Sequence, residues 1–134
     1  MKMILRWFPH GDDSVTLEQI RQIPGVSGVA TCLPKIPVGE VWPVEAIREV
    51  RDEVNAAGLE MEVIESVNIH EDIKKGLPTR DKYIENYIET IKNLHENGVK
   101  CLCYNFMPVM DWIRSDLAFP LPDGSNAMAY RHEQ

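Results

Sequence analysis

Two histidines, an asparagine, two arginines and two tryptophans are the side chains of this chain whose types and places suit work on a small polar molecule. His10 and His70 each follow an apolar, β-rich run, so one topology could bring both to the same end of a sheet, near Glu65, Glu71 or Asp72. Such a set could hold a metal or move a proton; the plainer reading is that each histidine orders its own loop. Asn105 ends another such run, and its amide could hold a substrate hydroxyl or complete a turn. From Asn105 to Asp116 the chain crowds amide, aromatic, acid and base into one short segment, with Asp111 and Trp112 at its centre. Trp7 and Trp112 could wall a small polar ligand or serve as core. Arg6 and Arg114 could grip an anionic substrate, because a planar guanidinium meets a carboxylate through two donors; the alternative for each is a surface ion pair. His95 lies near the carboxyl end of a predicted helix, facing away from the strand ends, and is left out of the site.

The formal charge of −7 and the lack of a dense Lys/Arg cluster exclude a general nucleic-acid or anionic-membrane surface, since both rely on positive charge to displace counterions. No apolar run reaches the ~20 residues of a spanning helix, and the amino terminus lacks a signal-peptide layout, so the expected setting is cytoplasmic. Cys32, Cys101 and Cys103 are an odd set that argues for reduced thiols. Cys101 and Cys103 share one face of a predicted strand and supply only half of a tetrahedral zinc site.

The elements that must position these groups follow from periodicity. Strands are expected over Met3 to Phe8, Gly28 to Leu33, Leu59 to Val67 and Lys100 to Phe106. Between them, Thr16 and Gln19 form a capping box ahead of a short helix that Pro24 and Gly25 end. Pro43 opens a second helix with an Ile47, Val50, Val54, Ala57 stripe, closed by Gly58. Thr79 caps a third, whose apolar face is Ile84, Tyr87, Ile88, Ile91 and Leu94, ended by Asn97 and Gly98. The two prolines of Pro34 to Gly39 make a stiff extended loop after the second strand.

Repeated strand-then-helix order builds a parallel sheet whose working face lies at the carboxyl ends of its strands. The fold class expected is therefore α/β, a partial (β/α)8 TIM barrel made of the first three βα units plus a fourth strand. A closed barrel needs roughly 250 residues, and this chain has 134. Residues 1–117 are assigned to the amino-terminal part of the barrel and 118–134 to a loop or the start of a lid.

Longer stretches carry a resemblance. Arg6-Trp7-Phe8, Thr16 through Val26, Ile36 through Pro43, Glu62 through Val67, His70 through Lys74, Gly76 through Asp81, and Cys103 through Val109 followed by Asp111-Trp112 resemble, in order, the start of mannonate dehydratases. The resemblance implies a TIM-barrel hydro-lyase that takes water from D-mannonate to give 2-dehydro-3-deoxy-D-gluconate in hexuronate (glucuronate) catabolism. It also implies an iron or manganese ion (Fe2+ or Mn2+) in the full-length family, whose ligands lie in later strands and are not expected in this chain. The chain alone is expected to be an incomplete and inactive portion. The matching positions near strand ends, Trp7, His70, Asn105, Asp111 and Trp112, are assigned to substrate binding, with Arg114 added on physical grounds; catalytic residues are not assigned. The expected partners are the sugar acid and other copies in a homo-oligomer. Two alternatives stand beside this: a half-barrel assembly module with unpaired sheet edges, and a xylose-isomerase-like sugar isomerase fragment, since fold does not fix chemistry.

Overall fold

In the computed structural model, which describes residues 1–11, 14–109 and 113–133, the four expected strands pair in sequence order. They are β1 (Met3–Arg6), β2 (Val26–Thr31), β3 (Glu60–Glu65) and β4 (Cys101–Cys103), all parallel. The register aligns Arg6 with Ala30, Thr31 with Ile64, and Glu65 with Cys103, which brings the carboxyl ends of the strands to one rim. Strand order that follows chain order, with helical crossovers between parallel neighbours, is the arrangement of an arc of a (β/α)8 barrel.

The helices are α1 (Leu17–Arg21), α2 (Val44–Ala56), α3 (Glu71–Lys75) and α4 (Arg80–Glu96). The capping box of α1 is formed: Thr16 Oγ1 accepts from the Gln19 N–H and the Gln19 side chain accepts from the Thr16 N–H. Along α2, Ile47, Val50 and Val54 are fully buried and share one core cluster with Val29 and Ile64 of the sheet, so the core lies between helices and strands. Val29 and Ile64 occupy one sheet face; by strand alternation Arg6, Ala30 and Glu65 occupy the other. Gly28 has no room for a side chain, because a Cβ there would sit 2.3 Å from the Glu60 carbonyl oxygen, and this close approach lets β2 and β3 pair tightly.

Three features differ from expectation. First, α3 replaces part of the loop after β3; it is a single turn and a half with acids first, lysines last and Gly76 at φ +67° after it. Second, the buried face of α4 is not the isoleucine row. Thr90 and Leu94 are buried, whereas Ile84, Ile88 and Ile91 are exposed. Amides and a hydroxyl set that rotation: Asn93 donates to the Trp42 carbonyl, Thr90 accepts from the Trp42 N–H, and Asn86 donates to the Gly39 carbonyl. Third, the region assigned to a loop or lid contains most of an antiparallel ribbon, β5 (Asp116–Pro120) with β6 (Asn126–Ala129), turned by Asp123 and Gly124. Thr79 does precede α4, but its hydroxyl donates to Asp72 instead of capping the helix. No described helix is long and apolar enough to cross a membrane.

Candidate active-site rim

The end of each strand contributes to the same hollow. Arg6 and Phe8 come from the end of β1, Cys32 from just after β2, Glu65 from the last residue of β3, and Asn105 from just beyond β4. They line a cavity of about 560 Å³ that the Pro34–Gly39 loop and the first turns of α4 close from the side. Its position outside the carboxyl ends of parallel strands is where such folds bind ligands.

His70 is fixed on three sides. As the N-cap of α3, its Nδ1 accepts from the Asp72 N–H at 3.1 Å. Its ring stacks on Tyr83 with centroids 3.6 Å apart and planes 13° from parallel. Gly39 passes so close that a Cβ there would lie 2.8 Å from His70 Cδ2 and 2.6 Å from the Tyr83 ring. Because Nδ1 is an acceptor, the proton of the neutral ring sits on Nε2, which leaves His70, a cavity-lining residue, one ring donor.

A second network joins the loops after β3 and β4. Glu71 accepts from Lys74 Nζ at 2.9 Å and from the Val109 N–H at 3.0 Å, while Lys74 also donates to the Met107 carbonyl at 3.0 Å. The Lys74 ammonium, then the Val109 N–H, hold the Glu71 carboxyl down at about 2, against an ordinary 4.5. Val109 adopts φ +67°, a strained conformation for a β-branched residue, and the Glu71 hydrogen bond helps to hold it. A smaller hollow of about 330 Å³ lies beside this network and shares His70 and Asn105 with the larger one.

The structure therefore brings together two of the expected site residues, His70 and Asn105. Trp7 is 4% exposed within the core cluster and is not among the cavity-lining residues. Arg114 is half-buried beside the ribbon, with its Nη1 donating to the Ile113 carbonyl, and is not among the cavity-lining residues. Asp111 and Trp112 lie outside the described residues. His10, at φ +63° and exposed, does not line the cavity beside His70. Partial desolvation, with Cys101 and Glu65 alongside, raises the Cys103 thiol, so that group favours its protonated form at neutral pH. Tyr83 was missed by sequence reasoning; its place one helical turn past Thr79 gave no hint that it would support His70.

The chain is similar to known proteins along its whole length. A family model described as D-mannonate dehydratase (UxuA) matches residues 1–134. A mannonate dehydratase of Thermotoga neapolitana is 65% identical over 132 residues, covering 98% of this chain and 37% of the relative. One from Geobacillus thermodenitrificans is 59% identical over 134 residues, covering 100% of this chain and 36% of the relative. The crystal structure of mannonate dehydratase from Streptococcus suis serotype 2 superposes with a TM-score of 0.94 at 52% identity, covering 99% of this chain and 38% of that one. The chain thus spans little more than a third of the length of the relatives it matches. A barrel arc whose strand ends share one polar hollow, matched from first residue to last by one family, belongs to the D-mannonate dehydratase family.

Proposed function

We propose that this segment forms the substrate-holding part of an enzyme that dehydrates D-mannonate to 2-dehydro-3-deoxy-D-gluconate. The observation that carries the reading is the cavity over the strand ends, with donors from His70 and Asn105, in a chain matched throughout by the family. The chemistry sets what the whole site must supply. A proton beside a carboxylate is weakly acidic, and its removal pushes charge onto the carboxylate oxygens, which fixed donors stabilise. Hydroxide must then leave the neighbouring carbon with the help of a general acid. In this reading His70 Nε2–H and the Asn105 amide hold substrate hydroxyls and fix which carbon faces the reacting groups. Asp111 and Trp112 belong to the same proposal through the family motif, as contacts in the loop beyond β4.

The resemblance implies iron or manganese. Among the described residues no group of three or more His, Cys, Asp or Glu could hold a metal ion, and the reading assigns these residues binding and orientation alone. A cytoplasmic setting suits three free cysteines, and assembly into a homo-oligomer is part of the same reading. The test is turnover. The full-length polypeptide carrying these residues, supplied with Fe2+ or Mn2+, should convert D-mannonate to the 2-keto-3-deoxy acid, read as accumulation of the keto product. Absence of product with both metals would reject the reading.

A further inference from the structure

We propose that Arg6 is the clamp for the substrate carboxylate, a role that rests on the sugar-acid reading of this cavity. Arg6 ends β1 and is half-buried, with its guanidinium 4.1 Å above the centre of the Phe8 ring. Nη1 donates to the carbonyls of Ala30 at 3.2 Å and Trp7 at 3.4 Å, and Nη2 to Cys32 Sγ at 3.3 Å. None of these partners is a carboxylate. Among the described residues no carboxylate lies within 4.0 Å of Arg6, although Glu65 lines the same cavity.

A guanidinium cannot shed its charge, so one that is partly desolvated and lacks an anion is poised to receive one. The hydrogen bonds already made fix its plane, and the Phe8 ring covers one face. They leave the Nε–H and one of the two Nη2–H groups without a partner among the described residues, two donors that a carboxylate can take up. Arg6 shares the cavity with His70 and Asn105. A sugar acid with its carboxylate on Arg6 would direct its hydroxyls toward those two donors. The arrangement then sets both affinity for an acid over a neutral sugar and the end of the molecule that enters first.

Equilibrium binding to the full-length, metal-loaded polypeptide tests this with two probes, D-mannonate and its uncharged amide, D-mannonamide. Arg6→Gln should weaken mannonate about 100-fold while changing mannonamide little, the size expected when a desolvated charge pair loses one partner. Arg6→Lys keeps the charge without the fork and should lose about 10-fold; it carries the comparison if a melting curve shows that the glutamine variant does not fold. Turnover by Arg6→Lys should show a KM rise larger than any fall in kcat. Unchanged mannonate binding in either folded variant, or equal weakening of both probes, would overturn the clamp. Native protein that binds mannonate with the Arg6 dependence described but does not dehydrate it would sink the functional reading and leave the clamp standing. Native protein that dehydrates mannonate with no Arg6 dependence would sink the clamp alone.

Discussion

At Glu71 one carboxylate takes hydrogen bonds from a lysine and from the backbone of a loop more than thirty residues away, and its acidity reports on both. Its folded value lies below the ordinary one, so the stability it contributes is full above pH 4.5 and is lost as the pH falls toward about 2. A carboxyl-carbon NMR titration should place its midpoint well under 4.5, and Glu71→Gln should remove that signal and loosen the Met107 to Val109 turn, seen as faster amide exchange at Val109. At His70 the same logic separates scaffold from ligand contact. Asparagine is a strong N-cap and can replace the acceptor at Nδ1, but it carries nothing at the Nε2 position. On the proposed function, His70→Asn in the full-length polypeptide should therefore keep the melting temperature close to native and raise KM for D-mannonate about tenfold. At Gly39, where φ is +90° and both His70 and Tyr83 crowd the missing Cβ, Gly39→Ala should cost about 2 kcal/mol in chemical denaturation and displace the imidazole from its stack.

Among the elements, α4 is held to the rest by polar contacts inside an otherwise apolar seam. Thr90 is 1% exposed; its hydroxyl accepts from the Trp42 N–H at 3.1 Å and donates to the Asn86 carbonyl at 3.0 Å. Thr90→Val preserves shape but strands the Trp42 N–H, and a denaturant titration should show a loss of about 1–3 kcal/mol. The same contacts explain what the sequence could and could not disclose. Spacing alone revealed the α2 stripe, because Ile47, Val50 and Val54 have one face and one partner layer. The isoleucines of α4 keep an equally good helical spacing, yet Asn86, Thr90 and Asn93 decide the rotation through hydrogen bonds to backbone far away in the chain, which periodicity does not contain. The α3 turn carried its signals in plain view, acids, lysines and then Gly76, but it is too short for a periodic pattern. The ribbon was obscured by Pro120 and Pro122 beside its turn, and ribbons this short lack alternation long enough to register. For the candidate site, the expectation that polar residues following strands share one rim places His70 and Asn105 at one cavity, beside the stiff Pro34–Gly39 loop. The place of Trp7 was not legible, since an aromatic at a strand end looks the same whether it faces a core or a ligand.

For the molecule as a whole, the described face of α4 exposes Ile84, Ile88 and Ile91, and a hollow lined by Ile91, Leu94 and Leu102 adjoins β4, whose only described strand partner is β3. Apolar rows beside an open strand edge recruit whatever can cover them. The 134-residue chain on its own should associate in a concentration-dependent way in sedimentation velocity, and should show no measurable dehydratase turnover; a stable, active monomer would contradict both expectations. Charge substitutions at Ile88 and Ile91 should shift that association toward monomer. The lysine and glutamate of α3 carry a different consequence. Since they already clasp the chain beyond β4, the loops after the third and fourth strands cannot drift apart independently, and a ligand arriving between them meets walls set at a fixed spacing. Little ordering remains for binding itself to accomplish there, so selectivity at this rim should come from shape that exists before the ligand does.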